Sequence, residues 1–266
     1  MIKIGFIGTG NMGTAIIKGI ATSSFANNCE IFATDVDKSK IESLSEFGVL
    51  ACENARAIVK KCKYVFLAVK PQMFDEVLTD IASEVTDDTV LVSIAAGITG
   101  EHIKAKTKLD AKVVLVMPNT PLLLGEGASA LARVQPVSDE EFKVVFDIFS
   151  SCGTAAVIDK DKMKEIIAIN GSSPAFIYLF AKGFIDYAAK QNIPEDTAKQ
   201  LFAKSLIGSA KMITDSGYSI DELIKMVSSP GGTTLKGLDE LYNGNLTKII
   251  ENACEACTKR AYELSK

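Results

Sequence analysis

The chain has 266 residues, of which 47% are hydrophobic and 23% charged, and its formal net charge is −4. This balance is typical of globular proteins, and the lack of a long basic run argues against nucleic acid or an anionic membrane as a partner. The longest apolar runs, such as residues 90–96, are too short to span a bilayer, and a strand that starts at residue 2 or 3 leaves no room for a signal peptide. We therefore expect a cytoplasmic protein.

The first stretch, residues 3–19, has the order strand, glycine-rich turn and helix. A short apolar run is followed by Gly8, Gly10 and Gly13, which have the G-x-G-x-x-G spacing of dinucleotide-binding turns. Gly8 permits the tight turn, Gly10 lets a pyrophosphate approach the backbone, and Gly13 lets the helix lie close to the strand. A second strand ends at Asp35, where a carboxylate that binds the adenosine ribose is expected.

The chain then alternates between apolar strands and helices as far as residue 160. Further strands are predicted over 30–34, 49–51, 64–69, 89–94, 112–117 and 155–158, and helices over 14–20, 39–47, 55–61, 73–85, 98–109 and 138–150. Continuous apolar strands that alternate with helices indicate a parallel sheet covered on both faces. The prediction for residues 1–160 is an α/β domain, a Rossmann-type doubly wound and mostly parallel sheet that binds a dinucleotide.

Ligands bind at the carboxyl ends of the strands in such sheets. Small residues and prolines recur at these ends, which suits a groove where the backbone lies close to a flat cofactor. The segments concerned are 8–10, 34–35, 68–71, 95–97 and 118–121.

Beyond residue 160 the pattern becomes helical throughout. Helices are predicted over 165–190, 194–215, 219–228, 233–241 and 246–264, so that residues 161–266 form an all-helical domain. The first of these helices is apolar on nearly all sides and must be buried on most of them, which so small a domain can hardly provide. We infer a partner subunit.

A second turn of interest lies at residues 228–234. Pro230 stiffens its entry, and Gly231 and Gly232 expose backbone N–H groups where a helix begins, which suits a carboxylate. The hydroxyl of Thr233 or Thr234 can cap that helix. Pro-Gly-Gly is also common in plain turns, and from spacing alone a plain turn is the better interpretation.

The cysteines and the single histidine offer little chemistry. Cys254 and Cys257 have C-x-x-C spacing, but they lie in a helical pattern without a second metal-type pair, so two reduced thiols on one helix face are the better interpretation. His102 is alone, which excludes a histidine pair or a histidine-rich metal site within one chain. No metal is expected.

Six motifs are distributed along the chain. They are IGFIGTGNMG (4–13), AVKPQ (68–72), SIAAG (93–97), MPNTP (117–121), NGSSPAF (170–176) and SSPGGTTLKG (228–237). Together they resemble Δ1-pyrroline-5-carboxylate reductase, the last enzyme of proline biosynthesis, over the whole length. The first motif is shared by many reductases, whereas the last three in this order are highly specific.

The resemblance implies a dinucleotide-binding domain followed by a helical dimerisation domain, in a homodimer or a higher oligomer of dimers. It places the substrate between the first domain of one subunit and the helices of the other, with Thr234, the candidate catalytic residue, beside the ring nitrogen. The expected substrate-binding residues are Pro230, Gly231, Gly232, Thr233 and Thr234. The expected cofactor-binding residues are Gly8, Thr9, Gly10, Asn11, Met12, Gly13, Asp35, Asn54, Ala68, Val69, Lys70, Pro71, Ala95, Ala96, Asn119 and Thr120. In the family, the positions of the last four line the nicotinamide pocket.

Two residues depart from the family's usual pattern. Asn170 stands where a serine is usual, and Asp35 stands where the family often has a small uncharged residue and prefers NADPH. A carboxylate at position 35 would accept hydrogen bonds from the 2′-hydroxyl of NADH and repel the 2′-phosphate of NADPH. Both NADPH and NADH therefore remain candidate cofactors.

The implied reaction is hydride transfer to the C=N carbon of pyrroline-5-carboxylate, which gives L-proline. An imine is basic enough to be protonated near neutrality, so a hydroxyl or a water suffices and no general acid is assigned.

Two alternatives remain open. One is a reductase of the β-hydroxyacid dehydrogenase type, which shares the first motif but uses a lysine on the first long helix after the sheet, where residues 170–175 offer none. The other is a non-enzymatic, dinucleotide-binding regulatory relative, against which the intact Gly231, Gly232 and Thr234 argue.

Overall fold

The computed structural model describes residues 1–265. It divides into two compact units: the first comprises Met1–Ser172 and the chain from Cys254 onward, and the second is Ser173–Ala253. These two units are defined by the packing of residues within a single chain. The division into a dinucleotide-binding domain (1–160) and a dimerisation domain (161–266) stays a prediction.

The first unit is built on one eight-stranded sheet. Its strands are β1 (Ile2–Ile7), β2 (Cys29–Thr34), β3 (Leu50–Ala51), β4 (Tyr64–Leu67), β5 (Val90–Ser93), β6 (Lys112–Met117), β7 (Gly127–Val134) and β8 (Gly153–Val157). The spatial order is β3-β2-β1-β4-β5-β6-β7-β8. All neighbours are parallel except β6 and β7, which pair antiparallel with Met117 opposite Ala130. The predicted fold class is confirmed, and the strand order reverses beside β1, where such sheets bind ligands.

Helices cover both faces of this sheet. They are α1 (Asn11–Thr22), α2 (Lys38–Glu42), α3 (Ala55–Lys61), α4 (Phe74–Ile81), α5 (Gly100–Lys106) and α6 (Asp139–Ser150). Successive strand residues supply two separate cores. Phe6 and Phe66 stack in one, with ring centroids 4.6 Å apart, while Ile7 and Leu67 lie in the other. Burial on both faces is the reason that the strands are continuously apolar.

Two local predictions were wrong in this unit. Strand β7 was not predicted, because its sequence GASALARV lacks bulky β-branched residues until its end and is secured by pairing on both sides. The helix predicted over 39–47 ends at Glu42. There the hydroxyls of Ser43 and Ser45 donate to the carbonyls of Lys40 and Glu42, each over 2.7 Å, which competes with regular helical geometry.

The helical part begins with a π-helical turn (Ile167–Gly171), which interrupts the single helix predicted over 165–190. The α-helices that follow are α7 (Ser173–Lys190), α8 (Glu195–Asp215), α9 (Ile220–Met226), α10 (Thr233–Asn243) and α11 (Leu246–Leu264). Phe184 of α7 stacks on Phe202 of α8 with centroids 4.3 Å apart. Large apolar side chains of α7 are nevertheless exposed in the single chain, among them Leu179 at 71% and Phe184 at 47%.

Within residues 1–265, no helix is both long enough and apolar enough to cross a membrane.

Candidate active site

The glycine turn follows β1 directly and lies at the reversal of strand order. Gly8 has a φ of +95°, and a Cβ there would lie 2.8 Å from the carbonyl oxygen of Ala68. A Cβ on Gly13 would lie 2.7 Å from the carbonyl oxygen of Gly8, whereas, apart from its chain neighbours, no residue in the described part of the chain lies within 4 Å of a Cβ position on Gly10. Gly8 and Gly13 are therefore required by close packing, and Gly10 leaves open space through which a ligand can approach the backbone.

Helix α1 begins at this turn with Gly10 as its N-cap, and no side chain caps it within the described residues. The N–H groups of Asn11, Met12 and Gly13 have no partner inside the helix, because the first turn of any helix leaves them free. They present donors and a partial positive charge. This arrangement fits the pyrophosphate of a nicotinamide dinucleotide, which is the group that the sequence implies here.

Asp35 closes the same turn from the end of β2. One of its carboxylate oxygens accepts from the Thr9 N–H (2.7 Å) and the Thr9 hydroxyl (3.0 Å), and the other accepts from the Asp37 N–H (2.9 Å). Lys40 Nζ lies 3.8 Å away, and the Asp35 side chain is 8% exposed. Burial favours a higher pKa for Asp35, but these hydrogen bonds and the Lys40 charge outweigh it and hold the pKa below its usual range.

The loops after β3 and β4 contribute the residues predicted for the adenosine side. Asn54 is exposed and caps α3, its Oδ1 accepting from the Ala57 N–H over 2.9 Å. Ala68 and Val69 are half-buried beside the glycine turn, and Lys70 is exposed just before Pro71. The structure thus brings Ala68 and Val69 against Gly8.

Ala95 and Ala96 follow β5 and are half-buried. Ala96 packs against a small apolar cluster made of Met117, Ala130, Ile167 and Ala261. A cavity of about 270 Å³ opens at the ends of β5 and β6. Its lining includes Ala95, Gly97, Thr99, Met117, Lys160 and Tyr262, and none of the glycine-turn residues.

Asn119 and Thr120 follow β6 but differ in orientation. Asn119 is 7% exposed, and its amide makes two hydrogen bonds inside the protein: Nδ2 donates to the Asn170 carbonyl (3.2 Å) and Oδ1 accepts from the Ala128 N–H (2.8 Å). Thr120 is exposed at the start of a 3-10 turn. Asn170, the partner of Asn119, was not predicted as a site residue. The one feature of the sequence that distinguished it is that the family usually has a serine at this position.

The second predicted turn lies in the helical unit, before α10. Gly231 has a φ of +73°, and a Cβ on Gly232 would lie 2.7 Å from the hydroxyl oxygen of Ser229. Helix α10 begins at Thr233 with Gly232 as its N-cap, and no side chain of residues 1–265 caps it. The expectation that a threonine hydroxyl caps this helix is therefore wrong, because both threonines lie inside its first turn. Thr233 and Thr234 are exposed, and the first N–H groups of α10 lack intrahelical partners.

Comparison with known proteins covers the entire chain. Residues 160–264 match the family profile described as pyrroline-5-carboxylate reductase dimerisation, and residues 3–97 match that of NADP oxidoreductase, coenzyme F420-dependent. A pyrroline-5-carboxylate reductase of Escherichia coli (strain K12) is 34% identical over 265 residues, covering 99% of this chain and 98% of the relative. The chain belongs to the pyrroline-5-carboxylate reductase family. The family predicted from the sequence is thus confirmed.

Solved structures of pyrroline-5-carboxylate reductases agree with this membership. The chain is similar to the Plasmodium falciparum pyrroline carboxylate reductase with NADP bound, with a TM-score of 0.91 and 30% identity over 100% of this chain and 98% of the other. It is also similar to the Coxiella burnetii pyrroline-5-carboxylate reductase, with a TM-score of 0.90 and 28% identity over 99% and 98% of the two chains. The resemblance therefore extends through both parts of the molecule.

Proposed function

We propose that this protein reduces the C=N bond of 1-pyrroline-5-carboxylate to L-proline by hydride transfer from NADPH or NADH. The observation that carries the proposal is the full-length match to pyrroline-5-carboxylate reductases, which includes both glycine turns. A bound nicotinamide supplies the hydride, while the protein positions both reactants.

The glycine turn after β1 would bind the cofactor through backbone donors. The open space at Gly10 and the free N–H groups of α1 support a pyrophosphate over Gly8, Thr9, Gly10, Asn11, Met12 and Gly13. Thr9 acts differently from the others, since its N–H and hydroxyl already bind Asp35. The remaining proposed cofactor contacts are Asn54, Ala68, Val69, Lys70, Pro71, Ala95, Ala96, Asn119 and Thr120.

The turn from Pro230 to Thr234 would hold the substrate. The positive φ of Gly231, the crowding at Gly232 and the uncapped start of α10 support an anion site for the substrate carboxylate. Thr234 is exposed within the first helical turn, where its hydroxyl is free to bind the ring nitrogen. No strong acid is needed, because the imine is itself basic.

Asp35 inclines the cofactor preference toward NADH. Its buried carboxylate stays ionised because its pKa lies below the usual range, and a fixed negative charge repels a 2′-phosphate. Lys40, 3.8 Å from the carboxylate, supports the opposite preference, since it could turn toward a phosphate.

Self-association would complete the site. The dimerisation profile and the exposed apolar side chains of α7 support a homodimer, or a higher oligomer of dimers, with its interface in the helical part. A cytoplasmic location stays a prediction from the sequence.

The direct test is an initial-rate assay of the purified full chain with pyrroline-5-carboxylate and either NADPH or NADH, alongside a 3-oxoacid. The proposal predicts that the cofactor is oxidised in the presence of pyrroline-5-carboxylate and not in the presence of the 3-oxoacid. Oxidation with the 3-oxoacid alone would indicate a β-hydroxyacid dehydrogenase type, and cofactor binding without turnover of either compound would indicate a regulatory relative.

A further inference from the structure

Two buried side-chain amides join the loop after β6 to the turn that precedes α7. The first is Asn119, which binds the Asn170 carbonyl and the Ala128 N–H. The second is Asn170, which is 9% exposed; its Nδ2 donates to the carbonyls of Met117 (2.6 Å) and Ala128 (3.1 Å). The amides connect the end of β6, the start of β7 and the turn at Asn170.

The orientation of the Asn170 amide is fixed by these partners. The opposite orientation would place Oδ1 against two carbonyl oxygens, which cannot donate. Its Oδ1 is buried and has no hydrogen-bond partner within residues 1–265. A buried acceptor without a partner costs folding free energy, so its presence calls for an explanation in function or in a bound group.

The backbone around Asn170 is also unusual. Residues 167–171 form a π-helical turn, in which the Ser172 N–H donates to the Ile167 carbonyl over 2.7 Å. Such turns occur frequently at functional sites. A Cβ on Gly171 would lie 3.2 Å from Met117 Sδ, so the turn packs directly on the last residue of β6.

We infer that Asn170 is a positioning residue for hydride transfer. Its two donated hydrogen bonds fix the Met117 carbonyl and, together with Asn119, the backbone of residues 117–120, which forms one wall of the proposed nicotinamide site. The inference rests on the proposed function. The serine that is usual here in the family has a shorter side chain and a single donor, so it can hold only one of the two carbonyls, whereas alanine can hold neither.

The test compares Asn170→Ala, which removes both donated hydrogen bonds, with the wild-type chain. Ser129→Ala is the matched control, because Ser129 is 4% exposed on β7 and its hydroxyl is also without a partner within residues 1–265. Turnover is measured with pyrroline-5-carboxylate and with reduced cofactor carrying deuterium at C4. Independently of activity, calorimetry gives the affinity for the cofactor and for the matching ADP-ribose, which lacks the nicotinamide.

For Asn170→Ala we expect kcat to fall about tenfold to a hundredfold, because small misplacements of reacting groups have effects of this size, and we expect the deuterium isotope effect to rise. The ratio of the affinity for the full cofactor to the affinity for ADP-ribose should become smaller, while the affinity for ADP-ribose stays the same. In Ser129→Ala, kcat and both affinities should equal the wild-type values. An unchanged kcat with an unchanged affinity ratio in Asn170→Ala would overturn the inference. So would an equal loss of both affinities together with thermal stability, which indicates a purely structural role.

If Asn170→Ala does not fold, Asn119→Ser breaks the other half of the linkage and is measured in the same way, with the same expected and contradicting results. A wild-type chain that fails to reduce the imine would refute the proposed function. The affinity comparison would then still decide whether Asn170 shapes a nicotinamide site.

Discussion

The carboxylate of Asp35 accepts a hydrogen bond from the backbone N–H of Thr9 over 2.7 Å, so the end of β2 braces the glycine turn. The Thr9 hydroxyl binds the same oxygen, and Thr9 is only 2% exposed. The residue proposed to select between NADH and NADPH thus also supports the turn proposed to bind the pyrophosphate. A substitution here acts on both, and the two effects separate only when both cofactors are compared.

Asp35→Ser should raise the ratio of NADPH to NADH efficiency. Removal of the charge favours the 2′-phosphate, and a favourable change of 1–2 kcal/mol corresponds to about a fivefold to thirtyfold increase in the ratio. The measurement is kcat/KM with each cofactor at one ionic strength. Asp35→Asn is the control for shape, since it removes the charge and keeps an acceptor for Thr9. A ratio that stays constant in both variants would show that this carboxylate does not face the ribose.

Thr234→Ala should lower kcat/KM for pyrroline-5-carboxylate about tenfold to a hundredfold, because loss of one hydrogen bond raises the barrier by about 1–3 kcal/mol. Cofactor affinity should not change. Thr214→Ala is a matched control, since the Thr214 hydroxyl donates to the carbonyls of Ala210 and Lys211 in its own helix. Undiminished turnover by Thr234→Ala would remove Thr234 from the mechanism.

Glu141→Gln should destabilise the fold in a pH-dependent way. Glu141 is 6% exposed; it accepts from Lys112 Nζ (2.7 Å) and the Ser138 N–H (3.2 Å), and Lys63 Nζ lies 3.1 Å away. Burial favours a higher pKa for Glu141, but these partners outweigh it and lower the pKa. The lost charge-assisted hydrogen bonds should cost about 1–3 kcal/mol of unfolding free energy near neutral pH.

The sign of the pH effect follows from the lowered pKa. The stabilisation is fully present above the unfolded value of about 4.3 and is lost as pH falls through the folded value. The difference in unfolding free energy between the wild-type chain and Glu141→Gln should therefore become smaller at acidic pH. Urea unfolding at a fixed protein concentration measures it, with the exposed Glu140→Gln as control. A difference in unfolding free energy that does not change with pH would contradict this role of Glu141.

Leu179→Glu should dissociate the proposed dimer. Leu179 is 71% exposed on α7 in the single chain, and an unpaired carboxylate at an apolar interface costs several kcal/mol, hence about a hundredfold or more in dissociation constant. Leu109→Glu makes the same change at a position that is 84% exposed outside the helical part. Sedimentation at micromolar concentration should give monomers for the first variant and dimers for the second. Equal assembly of both variants would place the interface elsewhere.

The parts that could be predicted from the sequence have local causes. The strand, glycine turn and helix at the start follow from spacing, and the structure gives Gly8 and Gly13 the close contacts that only glycine permits. The start of the helix predicted over 138–150 also has a local cause, because the two hydrogen bonds of the capping box between Ser138 and Glu141 span only three residues.

The parts that could not be predicted depend on distant partners. Strand β7 is made of small residues and is defined by its neighbours in the sheet. The hydrogen bond between Asn119 and Asn170 joins residues that are 51 positions apart, so a local sequence pattern does not predict it. The π-helical turn depends on the same packing, so its sequence resembled the start of an ordinary helix.

The proposed reaction is tested most directly by following the hydride. The purified chain is incubated with pyrroline-5-carboxylate and NADH or NADPH that carries deuterium at the transferable C4 position, and the product is analysed by mass spectrometry and NMR. Hydride transfer should give L-proline with one deuterium at the ring carbon that was double-bonded to nitrogen, formed in equal amount to the oxidised cofactor. Cofactor that remains reduced, or proline without deuterium at that carbon, would contradict it.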